Sequence, residues 1–366
     1  MSACDQKRKS RSAILHLRYI AAPQDVKARP TMDVSTTRRE VLRGSVALTL
    51  GASGILHEAT AQGPTPLKVS SFPGLSNYPI YAAQHKGLFA KHGIAVDLIY
   101  TPNSQVQRDG LAKNDFQVIH TAADNAVAMV ELAKADAIIV TGGDNGFNRI
   151  IAQPEINSLS DLRGKTVVVD APNTAYALLL YKALKDAGVN RNDYSVNSVG
   201  GTTQRIEAML KDKDHAAAAV INVPFNFRLL AAGMKDLGSA TSSIGAYQAG
   251  SVVVMREWAK ANSDTLVRYL RAIIEGRRWL LNATNRAEAI QLAVDQVKLP
   301  PEVAARAYAY VTDPSEGFNK DAQFDMNGFK NVLKLRAEIQ GQWDGKPPAP
   351  DKYFDLSYYN KAIVGL

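Results

Sequence analysis

The chain has 366 residues, 46% of them hydrophobic and 21% charged, with one cysteine and a formal net charge of +8 at pH 7. That balance excludes a disordered chain and a disulfide-stapled one, and leaves a globular protein with a sizeable core. Ten Lys/Arg but only five Asp/Glu fall before residue 62, so the remainder carries about +3 and gives no reason to expect a nucleic-acid partner.

The first 61 residues have the order of an export leader. Thr37-Arg38-Arg39-Glu40-Val41-Leu42-Arg43 precedes an apolar stretch, Val46–Leu56, and Ala59-Thr60-Ala61 offers small residues for cleavage. The paired arginines resemble a twin-arginine signal, with Val41 where that pattern usually has Phe. Residues 1–31 are basic and unpatterned, so Met32 is the expected start of translation. The apolar stretch is too short to span a membrane. Cys4 lies in the leader, so the exported chain is expected to be periplasmic, free of disulfides and without a lipid anchor.

Beyond the leader, apolar runs alternate with helical patterns. Strands are expected at Leu67–Phe72, Ala95–Tyr100, Phe116–His120 and Ala137–Thr141, with helices from Pro79 to about His92, over Ser104–Lys113 and over Ala126–Ala135. Asn148–Gln153 is expected to cross to a second lobe. There Asp161-Leu162-Arg163-Gly164-Lys165 launches the strand Thr166–Val169, and a short polar loop leads into a helix that stops at Gly188. In that helix Tyr176, Leu180, Leu184 and Ala187 share one face, and Asn173 is the expected N-cap. Strands follow at Tyr194–Val199 and Ala216–Ile221, with helices after each, to Lys211 and over Asn226–Ala232. Ser239–Gly250 carries the chain back to a strand at Ser251–Met255, and helices dominate from Ala261 on.

Alternating strands and helices predict an α/β fold: two lobes, each a mostly parallel sheet flanked by helices. The expected division is a leader at 1–61, the first lobe at 62–152 and 248–366, and the second at 153–247.

Ligands of such sheets sit beyond the carboxyl ends of the strands, where helix N-termini present unpaired N–H groups. The strand-to-helix loops supply the candidate binding residues: Phe72, Asn77 and Tyr78; Asp124 and Asn125; Asp144; Asn173 and Thr174; Thr202 and Thr203; Asn222 and Phe225; and Tyr247. Each polar one has a second use as a helix cap. His120 is the one histidine near the expected cleft. No catalytic cluster, metal-ligand spacing or cofactor motif accompanies them. The loops contain Asp124, Asp144 and Asp170 but no Lys or Arg, which favours a small neutral, cationic or singly charged ligand. The aromatic residues suit a planar, heteroaromatic one. A small monoanion on the helix N-termini is the alternative.

Several segments together resemble the periplasmic solute-binding proteins of nitrate/sulfonate/taurine-type ABC transporters, which also include binders of thiamine-pyrimidine precursors. They are Ala82-Ala83-Gln84-His85-Lys86-Gly87-Leu88-Phe89 with His92-Gly93-Ile94, the Asp161–Lys165 turn, Leu184 through Gly188-Val189, His215–Val220 with Pro224, and Ala232-Gly233-Met234. The resemblance implies a two-lobed type II binding fold. It places the hinge near Asn148–Pro154 and Gly245–Ser251. It implies ligand capture by lobe closure, and a permease with its ATPase as partners of a monomer. A pyrimidine-synthase-like enzyme on the same fold and a ligand-presenting sensor are the alternatives. The enzyme's cysteine-rich iron motif has no counterpart here.

Overall fold

The computed structural model describes residues 63–366, which fall in one compact unit, Thr60–Leu366. The paired arginines, the cleavage site and Met32 lie outside the described residues.

The chain opens with β1 (Thr65–Ser71) and the helices α1 (Tyr78–His85) and α2 (Leu88–Lys91). One helix was expected here. Gly87, at φ +66°, breaks it, because that left-handed conformation ends an α-helix and favours glycine. Next come β2 (Ile94–Tyr100), α3 (Ser104–Ala112), β3 (Val118–Ala122), α4 (Ala123–Glu131) and β4 (Ala137–Gly142).

The chain then crosses through residues 143–147 into β5 (Asn148–Ala152). The expectation that Asn148–Gln153 is itself the crossing is therefore corrected. Asn148–Ala152 pairs along its length with β8 (Ala218–Asn222), so the second sheet already begins at Asn148. The turn at residues 143–147 is richer in glycine and makes the crossing instead. The second sheet is completed by β6 (Thr166–Val169), β7 (Ser195–Ser198) and β9 (Lys235–Ser239), with α5 (Ala175–Asp186), α6 (Thr202–Lys211) and α7 (Asn226–Ala231) as its helices. Residues 240–249 return the chain to β10 (Gly250–Met255) in the first sheet. Helices α8 (Arg256–Ala261), α9 (Ser263–Leu281), α10 (Arg286–Val297), α11 (Pro301–Val311), α12 (Met326–Gln340) and α13 (Ser357–Ile363) follow.

The two five-stranded sheets have the same plan. The first runs β2-β1-β3-β10-β4 and the second β7-β6-β8-β5-β9. In each, four strands share a direction and one opposes them: β10, antiparallel to β3 and β4, and β5, antiparallel to β8 and β9. The opposed strand is in both cases the one that follows a crossing, since a chain arriving from the other sheet enters at the carboxyl edge and must run backwards.

Both sheets are buried on two faces, which explains their near-continuous apolar strands. Val118, Ile138, Val140, Val252 and Val254 pack with α1 and α9 residues such as Ile80 and Ile273, while Ile119, Ile139 and Val253 face Val127 and Phe329 on the other side. In the second sheet Val167 and Val169 face α5, and Val168 turns to Ile206 and Leu229 of α6 and α7. Fully burying one such side chain contributes roughly 1.5–3 kcal/mol. This packing fixes the helix axes and aims their N-termini at the space between the sheets.

Candidate ligand-binding site

The carboxyl ends of strands from both sheets enclose a cleft of about 400 Å³. The first wall carries Phe72, Ser104, Arg108, His120, Thr121 and Arg277, and the second Asp170, Asn173, Thr174, Tyr176, Thr202, Arg205 and Asn222. Asp144 and Tyr247 come from the two crossings. The walls meet at the rim. A Cβ on Gly74, whose φ is +133°, would lie 3.1 Å from the Phe225 ring, and one on Gly201 would lie 3.0 Å from the Pro102 carbonyl oxygen. The cleft is therefore narrow and nearly closed.

Of the expected residues, Phe72, Asp144, Asn173, Thr174, Thr202, Asn222 and Tyr247 line this cleft. Thr174, and not Asn173, caps α5: its Oγ1 accepts the Ala177 N–H at 3.5 Å and donates to Asp170 Oδ1 at 2.5 Å. Asn173 is left exposed in the loop with no capping duty. Tyr176 packs at the edge of the core that holds Leu180 and Leu184. As the second residue of α5 it also faces the cleft.

The other expected residues do not line it. Tyr78 is fully buried and its hydroxyl donates to the Ala289 carbonyl, because α1 begins at Tyr78 and turns that ring into the core. Asn77 donates from Nδ2 to the Phe72 carbonyl at 2.6 Å, holding the loop behind the cleft. Asp124 turns beneath the sheet to a buried ion pair, 2.6 Å from Arg336 Nη1 of α12. Asn125 accepts from Arg108 at 2.8 Å and donates to Thr121 Oγ1 at 2.7 Å, so it positions an arginine from behind. Thr203 points to solvent at the start of α6, and Phe225 covers Gly74 at the rim.

Sequence reasoning missed the three guanidiniums. The loops do lack Lys and Arg, but α3, α6 and α9 bring Arg108, Arg205 and Arg277 to the cleft from within helices. Arg108 follows Ser104 by four residues and Arg205 follows Thr202 by three, so each shares a helical face with the first residue of its helix, and that spacing was a usable signal. Arg277 has no such signal. Arg205 is 1% exposed; it donates to the Gly200 carbonyl at 3.0 Å and to Thr202 Oγ1 at 3.1 Å, and lies 5.0 Å above the Tyr176 ring. Arg277 donates to the Gly143 and Asn319 carbonyls.

Some cleft residues carry buried polar atoms with no hydrogen-bond partner. Arg205 Nε, Arg277 Nε, Asn148 Oδ1 and Ser251 Oγ are buried without a hydrogen-bond partner, and all four residues line the cleft. Native proteins rarely leave such groups unsatisfied. The electrostatics follow burial. His120 is pushed down to about 3 by desolvation and then by Arg277, so it is neutral, with Nε2 at 2.7 Å from the Tyr269 hydroxyl. Asp144 is pushed up to about 6 by desolvation, against the pull of Arg277 and of the Gly250 and Gly146 N–H groups. Three guanidiniums against Asp144 and Asp170 leave the cleft net positive. The premise for preferring a neutral or cationic ligand is thereby removed, and the monoanion alternative gains.

Comparison with known proteins bears on the same fold. A family model described as NMT1/THI5 like matches residues 76–287. A putative ABC transporter periplasmic binding protein of Brachyspira hyodysenteriae is 25% identical over 229 residues, covering 58% of this chain and 64% of that protein, just under two thirds of its length. Among solved structures, the alkanesulfonate-binding protein SsuA of Xanthomonas axonopodis pv. citri, bound to MOPS, matches with a TM-score of 0.64 at 17% identity, over 79% of this chain and 96% of that one. The periplasmic nitrate-binding protein NrtA of Synechocystis matches with a TM-score of 0.66 at 13% identity, over 82% and 88%. The architecture is the periplasmic binding protein fold.

Proposed function

The chain belongs to the NMT1/THI5-like family, and from that premise we propose that it is the substrate-binding component of an ABC importer. It captures one small, singly charged anion between two lobes, each a sheet with its helices. The observation that carries this reading is the cleft between the sheets, lined by Arg108, Arg205 and Arg277, with buried guanidinium nitrogens still unpaired. An anion satisfies both walls at once only when they are together, so it favours the closed arrangement. Phe72, Tyr176 and Tyr247 suit a flat organic body behind the charged group.

The relative named as an ABC transporter binding protein and the neighbours named for alkanesulfonate and nitrate support this class over the enzyme alternative. A sensor would use the same cleft and differ only in its partner. The export-like leader supports a periplasmic location, and no helix among the described residues is long and apolar enough to cross a membrane. The permease and its ATPase are the partners this role requires.

Thermal-shift measurement with benzoate, methanesulfonate and nitrate, beside choline and a neutral aminopyrimidine, tests the reading. A ligand at a hundred times its Kd stabilises by about 2.7 kcal/mol. At least one anion is expected to raise the melting temperature by several degrees. A rise with choline or the pyrimidine and with no anion contradicts the proposal.

A further inference from the structure

Asp144 stands where the two crossings touch. It follows Gly142-Gly143 at the end of β4. Its backbone carbonyl accepts N–H bonds from Ala249 at 3.0 Å and Gly250 at 3.2 Å in the returning crossing, and its carboxylate Oδ1 accepts from Gly250 at 3.3 Å. The packing leaves no room for side chains: a Cβ on Gly250 would fall 2.1 Å from Asp144 Oδ2, and one on Gly143 would fall 2.5 Å from the Gly250 carbonyl. The carboxyl is thus held on rigid elements in the cleft wall.

A charged carboxylate at that place opposes the anion that the three arginines attract. Its charged form is also poorly supported. Its carboxylate is met by the backbone N–H groups of Gly250, at 3.3 Å, and Gly146, and Arg277 of α9 gives its hydrogen bonds to the Gly143 and Asn319 carbonyls instead. The other groups facing it are Tyr176 of α5, His120 of β3, and Arg205 and Asp170 across the cleft, with Asp321 and Tyr359 on the far side of Arg277. Burial keeps Tyr176 protonated, at about 12, and His120 neutral. Phe318 bridges Asp144 through its backbone and sets its ring 5.0 Å from the Arg277 guanidinium, and Asn319 contributes its carbonyl.

We infer that Asp144 determines which charge the cleft accepts: it takes up one proton as an anion enters, and its protonated carboxyl donates a hydrogen bond to that anion. The proton comes from solvent and no covalent bond changes. The inference rests on the anion-capture reading above. Burial places the carboxyl's titration at about 6, so the protonated form is ready at small expense in mildly acidic solution.

Isothermal titration of the protein with nitrate and with benzoate, at pH 7.5 and pH 6, tests it. Both probes stay ionised throughout, and His120 stays neutral. Affinity for the bound anion should rise about tenfold from pH 7.5 to pH 6, with uptake approaching one proton per anion at pH 7.5 when buffers of different ionisation enthalpy are compared. In Asp144→Asn the pH dependence should vanish, and affinity at pH 7.5 should match or exceed that of the unaltered protein at pH 6. Affinity that does not change with pH, or an unchanged pH slope in Asp144→Asn, overturns the inference while leaving anion capture intact. Failure of both anions to bind at either pH overturns the anion reading and this inference with it.

Discussion

Replacing Arg205 with Met removes the guanidinium while keeping most of the side chain's apolar stem. Two effects separate. The folded protein loses bonds to Gly200 and Thr202, a contact 3.9 Å from Asp170 Oδ1, and the stack over Tyr176. Net contributions of about 1 kcal/mol for each hydrogen bond and for the stack give a stability loss of about 3 kcal/mol. For a chain of this size that lowers the melting temperature by roughly 6 °C, within reach of scanning calorimetry. On the anion-capture proposal the bound state also loses a charge-assisted bond from the Arg205 guanidinium, worth about 1.5–3 kcal/mol, which weakens anion affinity by about 10- to 150-fold. Arg205→Lys should recover only part of this, because an ammonium lacks the planar fork. Calorimetric titration of each variant with whichever anion stabilises the unaltered protein provides the second readout. Unchanged affinity in Arg205→Met, beside the expected drop in melting temperature, would refute the assignment of Arg205 to the ligand.

Asp124→Asn should behave oppositely: it strands the buried Arg336 guanidinium and should cost about 3–5 kcal/mol by chemical denaturation, with anion affinity unchanged in the folded protein. Gly74→Ala should lose about 1–3 kcal/mol of stability and weaken anion binding, because Gly74 combines a φ of +133° with the Phe225 ring of the facing wall. Asp144 also sets a pH trend. Its folded value of about 6 lies above its ordinary 3.8, so its contribution is fully present below pH 3.8 and fades as pH rises through 6. Asp144→Asn should therefore gain on the unaltered protein by about 2.5 kcal/mol between pH 4 and pH 8 in paired denaturation curves.

The fold was legible because both sheets are covered on both faces. Strands such as Thr166–Val169 then read as short apolar runs, and the helices between them carry capping loops and glycine stops. β9 was missed because Lys235–Ser239 is a polar edge strand containing glycine, with half-buried residues throughout. The positions of the strand-to-helix loops were also legible, and seven of the thirteen expected residues line the cleft. The other six lie elsewhere for one reason. A loop's position does not say which way a side chain leaves it, and Tyr78 and Asp124 each left toward a partner more than two hundred residues away in sequence. The arginines were missed by searching loops alone, although a residue three or four positions into a helix still lies over its first turn.

Native mass spectrometry of the protein purified from its own host, without added ligand, tests the central claim most directly. The account predicts one small singly charged anion per chain, lost from Arg205→Met and retained by Asp124→Asn. A cationic or neutral molecule held by the unaltered protein, or an anion held equally by Arg205→Met, would contradict it.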